Sequence, residues 1–143
     1  MSEELSIQRT ISRYAEGASR ADWEQVLSTY MPDGVWEIKS FGAKFEGHKA
    51  IQDALHQFCD PMDYIVQINA PGLIQLSGER ATARSVIREC GKYKGRSEGL
   101  EVLGFYADKL QRTADGWKFT HRVFELQGMH NFPLSPPAPA ARP

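Results

Sequence analysis

The sequence predicts an α+β domain in which three N-terminal helices pack in the concave face of a curved antiparallel sheet. Three observations carry that expectation. Apolar residues recur at helical spacing in the first part of the chain, as far as Phe58. From Tyr64 onward the chain reads as long extended runs broken by short polar turns. The two kinds of segment are segregated instead of alternating, which is the α+β pattern. The 143 residues, 41% of them apolar, suffice for one core without metal or disulfide staples.

Each element has a local cause. Ser2 caps a first helix whose opening turn holds Glu3 and Glu4, and Ile7, Ile11, Tyr14, Ala15 and Ala18 form its apolar face. Asp22 starts a second helix, with Gln25 three positions on completing a capping box. Its inner face is Trp23, Val26, Leu27, Tyr30 and Met31, and Pro32-Asp33-Gly34 stops and turns it. Residues 35–39 make a strand with Trp36 and Ile38 on one face, and Phe41-Gly42 turns it into a short strand at 44–46. A third helix spans 48–58, with Ile51, Ala54, Leu55 and Phe58 on its apolar side. Residues 64–69 and 73–76 read as one strand interrupted at Ala70-Pro71-Gly72. Ser77-Gly78-Glu79 turns into a strand at 81–90, a polar loop follows at 94–99, and Ala114-Asp115-Gly116 joins strands at 100–112 and 117–127. On the last strand Lys118, Thr120, Arg122 and Phe124 alternate onto one face and Phe119, His121, Val123 and Glu125 onto the other. Five of the eight prolines fall after Phe132, so residues 132–143 read as an irregular tail on a 1–131 domain.

Charge and motifs exclude several functions. Lys plus Arg is 17 and Asp plus Glu is 18, a net charge of −1, with no basic footprint for a nucleic acid. No apolar run approaches the roughly 18 residues of a membrane span. Met1-Ser2-Glu3-Glu4 lacks the basic-then-apolar layout of a signal peptide. The expectation is a cytoplasmic chain with no nucleic-acid or membrane partner. Cys59 and Cys90 stand without a CxxC or HExxH pattern, which argues for reduced core thiols and against a metal site. GxGxxG, GxxxxGK[ST] and GxSxG are absent, and no cofactor is expected.

The natural ligand site of such a cone is its mouth and interior, where the first helix faces the sheet. Tyr14, Trp36, Phe58, Phe105 and Phe119 are the expected apolar lining. On the central strand, any one of Arg84, Arg88 and Glu89 facing inward needs a partner.

Two stretches, ISRYAEGASRADWEQVLSTYMPDGVWE and FYADKLQRTADGWKFTHR, together with the spacing between them, carry a resemblance. Over residues 5–128 the chain resembles SnoaL-like members of the nuclear transport factor 2-like (cystatin-like) superfamily. That superfamily includes ketosteroid isomerase, scytalone dehydratase, bile acid 7α-dehydratase, lindane dehydrochlorinase, small subunits of ring-hydroxylating dioxygenases, and members without known catalysis. The resemblance implies an α+β cone and cofactor-free proton transfer on a small cyclic hydrophobic compound. It also implies a homodimer through the convex sheet face.

The resemblance assigns roles one residue at a time. Tyr14 matches a tyrosine that polarises a substrate oxygen; read from its helical face alone it is a core aromatic. The dehydratases carry an aspartate five residues later, paired with a proton-abstracting histidine on a later strand. Here those places hold Ser19 and, in register, Gln67, so the dyad is missing. The strand carboxylate of ketosteroid isomerase falls at Ile38, with Glu37 on the other face. Arg122 matches an arginine that helps a leaving group depart; the pattern leaves it either an inward anion-binding group or an outward surface residue. Tyr106 and Asp108 share a face, with Asp108 read either as a pocket acid or base or, in preference, as a surface partner for Arg112. His56 is the remaining candidate base, and His121 a satisfied strand residue. The candidate catalytic residues are therefore Tyr14, Arg122 and His56, and the candidate substrate-binding residues Ser19, Trp36, Phe58, Gln67, Phe105 and Tyr106. Two functions follow: a cofactor-independent lyase or isomerase, or a module that binds a small hydrophobic molecule without catalysis.

Overall fold

The computed structural model describes residues 1–135. Helix α1 (Glu3–Arg20) begins where Ser2 Oγ accepts the Leu5 N–H at 3.2 Å, and it ends at Ala21 in the left-handed region. Helix α2 (Trp23–Ser28) packs on α1 at Gly17, where a Cβ would meet Val26 Cγ2 at 3.1 Å. Asp22 caps α2 by accepting the Gln25 N–H at 3.0 Å. The Gln25 side chain does not close a capping box. Its Nε2 donates to the Arg13 carbonyl and to Glu16, which ties α2 to α1.

The second helix is shorter than its apolar pattern predicts. Tyr30 and Met31 belong to β1 (Tyr30–Ile38), and Pro32-Asp33-Gly34 is an irregularity inside that strand. Tyr30 pairs with Phe119 and Val35 with His121, so the ladder resumes after the insertion. Gly34 is required there, because a Cβ would lie 2.9 Å from the Met31 carbonyl oxygen and 3.0 Å from the Phe119 carbonyl and the Tyr30 ring. A short apolar run fits either period, and pairing with the last strand decides it.

A single turn of 3-10 helix (Lys39–Phe41) leads to β2 (Ala43–Glu46), which pairs back on β1. Helix α3 (His48–Cys59) buries Ile51, Ala54 and Leu55. Then follow β3 (Met62–Asn69), β4 (Leu73–Ser77), β5 (Arg80–Tyr93), β6 (Glu98–Thr113) and β7 (Gly116–Pro133). The seven strands form one sheet in the order β2-β1-β7-β6-β5-β3, with β4 continuing along β5 after β3. Neighbours are antiparallel except β1 and β7, which are parallel. The expected curved antiparallel sheet is present, with one parallel seam between β1 and β7, where the long chain between the two strands serves as the crossover.

Strand β7 runs further than its composition predicts. Phe132 and Pro133 still pair with Gly99 and Glu98, and the Phe132 ring covers Gly99. At a strand end the missing proline N–H costs no interior ladder bond. The rest of the proline-rich tail, from residue 136, lies outside the described residues. Among the described residues no helix is long and apolar enough to cross a membrane.

The inner face of α1 lies on the sheet. Ile7, Ile11, Tyr14 and Ala18 join Val26, Tyr30, Ile87, Leu110, Trp117 and Phe119 in one core cluster. Two bulges then set which way β7 points its side chains. Phe119 pairs with Leu110 and His121 with Lys109, leaving Thr120 extra. Leu126 pairs with Gly104 and Gly128 with Leu103, leaving Gln127 extra. Each insertion flips the alternation, so Phe119 and Arg122 end on the same inner face, against the simple two-residue period.

Candidate functional site

Between α1, α3 and the sheet lies a cavity of about 290 Å³. That is at the small end of the roughly 300–1,000 Å³ spanned by ligand pockets. Its wall is mostly apolar: Trp36 and Ile38 of β1, Leu55, Phe58 and Cys59 of α3, Ile65 of β3, Val102 of β6, and Phe124 and Met129 of β7. Trp36 meets Phe58 edge to face at 5.9 Å and Phe45 at 5.5 Å, which fixes the indole.

Two polar pairs interrupt this wall. The first is Tyr14 of α1 with Tyr106 of β6, only 1% and 3% exposed, whose rings meet edge to face at 5.9 Å. Burial raises the pKa of both above the usual tyrosine value, against the opposing pull of Arg122. Both hydroxyls therefore stay protonated at neutral pH; their mutual interaction lowers Tyr14 and raises Tyr106, as when Tyr106 donates toward Tyr14, which leaves the Tyr14 proton to go to an oxygen in the cavity. The second pair is Gln67 of β3 with Glu89 of β5, direct partners in the sheet register. Gln67 Nε2 donates to Glu89 Oε2 at 2.7 Å. Burial pushes the Glu89 carboxyl up, while the bond from Gln67 holds it back. Cys59 also lines the cavity, but burial, then Glu89 and Asp60, push its thiol up to about 12, so it is no nucleophile at neutral pH.

Beneath the tyrosines lies a buried ion pair. Arg122 is fully buried and its Nε donates to Asp108 Oδ1 at 3.0 Å. Burial pushes the Asp108 carboxyl up to about 6, with Arg122 opposing. The guanidinium carbon stands 4.2 Å from the Tyr14 ring centre, 3.7 Å from that of Tyr106 and 4.4 Å from that of Phe119. Among the described residues no group of three or more His, Cys, Asp or Glu side chains is placed to hold a metal ion.

The structure brings Tyr14, Trp36, Phe58, Gln67 and Tyr106 together around this cavity. Ser19 stands one step behind it. Ser19 Oγ donates to the Ala15 carbonyl and accepts the Gln67 N–H, each at 2.8 Å, so it fastens β3 to α1. Arg122 points inward but reaches only the rings and Asp108, not the cavity wall. Phe119 is likewise buried in the core beneath the site. Phe105 lies on the opposite sheet face, 40% exposed, because Tyr106 takes the inward place on β6. His56 is on the outer side of α3, with Nδ1 3.1 Å from Asp60 and the ring beside Trp23, and it does not line the cavity. Asp108 is paired with Arg122, while Arg112 pairs with Glu79 and Glu3. Glu37 faces away from the cavity toward His121, at 3.3 Å.

The residue missed as a site candidate is Glu89. The signal for it was present: Ala81, Ala83, Ser85 and Ile87 alternate with Thr82, Arg84 and Arg88, and Glu89 falls in the first set.

Comparison with known proteins places the fold. The family of the SnoaL-like domain matches residues 1–123. Among curated proteins no sequence relative matches. Solved structures match along nearly the whole chain. A candidate aromatic ring hydroxylase from Novosphingobium aromaticivorans is 22% identical, with 91% of this chain and 93% of that one covered and a TM-score of 0.83. A candidate scytalone dehydratase from the same organism is 20% identical, with 97% and 93% covered and a TM-score of 0.80. The hexachlorocyclohexane dehydrochlorinase LinA-type3 from Novosphingobium barchaimii is 14% identical, with 93% and 94% covered and a TM-score of 0.81. At these identities the structural likeness is one of fold, and the family match spans most of the sequence: the chain belongs to the family of SnoaL-like domains.

Proposed function

We propose that this chain is a cofactor-independent lyase or isomerase that moves a proton on a small cyclic hydrophobic compound. The supporting observation is that one apolar cavity carries both a carboxylate, Glu89, and two hydroxyl donors, Tyr14 and Tyr106. In this reading the ring of the ligand lies among Trp36, Phe58 and Phe124, and its oxygen accepts a hydrogen bond from Tyr14. Glu89 takes a proton from the carbon next to the carbonyl carbon, while the hydroxyls stabilise the negative charge that develops on the carbonyl oxygen. An isomerase returns the proton to another carbon, and a lyase lets a leaving group depart from the neighbouring one. Two of the structural neighbours are named for elimination reactions, a dehydratase and a dehydrochlorinase, which fits this scheme.

The test is proton exchange. Small cyclic ketones and β-hydroxy ketones in deuterated water are followed by NMR for deuterium uptake or elimination. Uptake by the wild type that disappears in Glu89→Gln supports the proposal. Binding without exchange for every compound favours the second reading, a non-catalytic module for a small hydrophobic molecule. The specific observation behind that second reading is that Ser19 and Gln67, at the places of the missing dyad, are bonded to each other.

We also infer a homodimer. The convex sheet face exposes Ile68, Val86, Leu103 and Phe105, which lie close in the register of β3, β5 and β6. The two cysteines are free, which fits a reducing compartment, and we place the chain in the cytoplasm.

A further inference from the structure

We propose that Arg122 acts on the ligand oxygen through the rings of Tyr14 and Tyr106, strengthening their hydroxyls as donors without touching the ligand. This rests on the proposed role of Tyr14 and adds a positioning residue to it. Three observations carry it. The guanidinium carbon lies within 4.2 Å of both ring centres, closer than the roughly 6 Å limit for a cation–π contact. The Arg122 side chain is fully buried and absent from the cavity wall, so the tyrosines stand between it and any ligand. Its Nε is engaged by Asp108, yet neither terminal nitrogen has a hydrogen-bond partner among the described residues. An arginine placed to bind an anion would turn those nitrogens toward the cavity. Here the guanidinium carbon lies over the ring faces instead.

The direction of the effect follows from the chemistry. As a phenol donates its proton toward an acceptor, electron density on its ring grows. A cation on the ring face is attracted more strongly to the richer ring, so its contribution increases along the donation, which is the differential kind that helps a reaction. Arg122 and both tyrosines are buried, so the field between them is weakly screened. The other titratable groups around the pair are Tyr30 of β1, Cys59 of α3, Glu89 of β5 and Asp108 of β6. Any of these that ionises adds negative charge and opposes donation, and Arg122 is the cation among them.

The test uses 2-naphthol, a bicyclic phenol whose neutral and ionised forms absorb differently. The preference of the protein for the ionised form is read from affinity against pH. Arg122→Met is expected to lower that preference roughly tenfold, the scale of a desolvated cation–π contact. Asp108→Asn keeps an acceptor for Nε but removes the opposing charge, and is expected to raise the preference. A general loosening of the site cannot give opposite signs, and the second variant still reads the field if the first does not fold. In the Tyr14→Phe background Arg122→Met should add little further loss. If Tyr14→Phe abolishes the preference while Arg122→Met and Asp108→Asn leave it unchanged, the role of Arg122 is overturned and that of Tyr14 stands. If Tyr14→Phe also changes nothing, or the wild type does not bind 2-naphthol, the role of Tyr14 falls and this inference falls with it.

Discussion

Glu89→Gln separates the catalytic use of the cavity from its cost to folding. The amide has the size of the carboxylate, and its oxygen can still accept from Gln67 Nε2, which now lies 2.7 Å away. Packing is therefore preserved and only the base is removed. A positioned general base contributes about 10²–10⁴-fold, so the proton-exchange rate should fall by that factor, about 3–5 kcal/mol in barrier. Stability should move the other way. Burial raises the Glu89 carboxyl above its ordinary value. Between the ordinary and the raised value the folded protein holds a proton that the unfolded chain has lost. Stability from this group therefore falls as pH rises through that window, and remains lower above it. The variant lacks this loss and should melt at a higher temperature at neutral pH. The assay is deuterium exchange by NMR and thermal melting, both measured across pH. The wild-type rate should rise with pH through an inflection above the ordinary glutamate value of about 4.3, and the residual rate of the variant should be flat there. An unchanged exchange rate would remove Glu89 as the base. A lower melting temperature with the pH dependence intact would show that the carboxylate is not held at a cost.

Three further outcomes are expected. Gly34→Ala drives a methyl to 2.9 Å from the Met31 carbonyl oxygen and should cost about 1–3 kcal/mol in a urea melt. Arg122→Ala leaves Asp108 buried without its partner and should cost about 3–5 kcal/mol, whereas Arg122→Met with Asp108→Leu should recover most of that loss in the same melt. Phe105→Glu places a charge on the exposed apolar face of the sheet and should give a monomer by light scattering, with ligand affinity in the cavity unchanged.

Much of the fold could be read from residue pattern alone. The α1 face, the Ser2 and Asp22 caps and the β6–β7 turn all rest on local chemistry, and the structure has them in place. Where the reading failed, the deciding interaction was long-range. Tyr30 and Met31 look helical until Phe119, far along the chain, offers a strand partner. Phe119 and Arg122 look like opposite faces until the bulge at Thr120 is known, and a bulge leaves little trace in a single sequence. Within the site, Tyr14, Trp36 and Tyr106 were legible from helical or strand phase. Phe105 was misplaced by one step of the same alternation, and His56 was chosen by residue type, without a face to support it. Glu89 was legible by phase, but a carboxylate directly after Arg88, on a strand that also carries Arg84, resembles a solvated strand. Its partner Gln67, one strand away, is what makes the inward placement tolerable.

Under the proposed function, Ser19 and Gln67, at the places where the resemblance implies an aspartate–histidine dyad, have a geometric consequence. The position on β3 that would carry the histidine now spends its main-chain N–H on Ser19 and its side chain on Glu89. The base is thereby moved to the adjoining strand, about 4.8 Å along the sheet, while the donor on α1 stays in place. Tyr14 remains the anchor for a ligand oxygen, so the acidic hydrogen must sit on a different carbon relative to that oxygen than it does when the base stands on β3. Compounds processed by a β3 base should then bind here without reacting, and ring ketones whose acidic position lies nearer β5 should react. Moving the carboxylate back, with Gln67→Glu and Glu89→Gln together, should reverse the preference within one set of isomeric cyclic ketones. Loss of exchange with every isomer in that double variant, with binding retained, would show that the position of the base is not what selects the substrate.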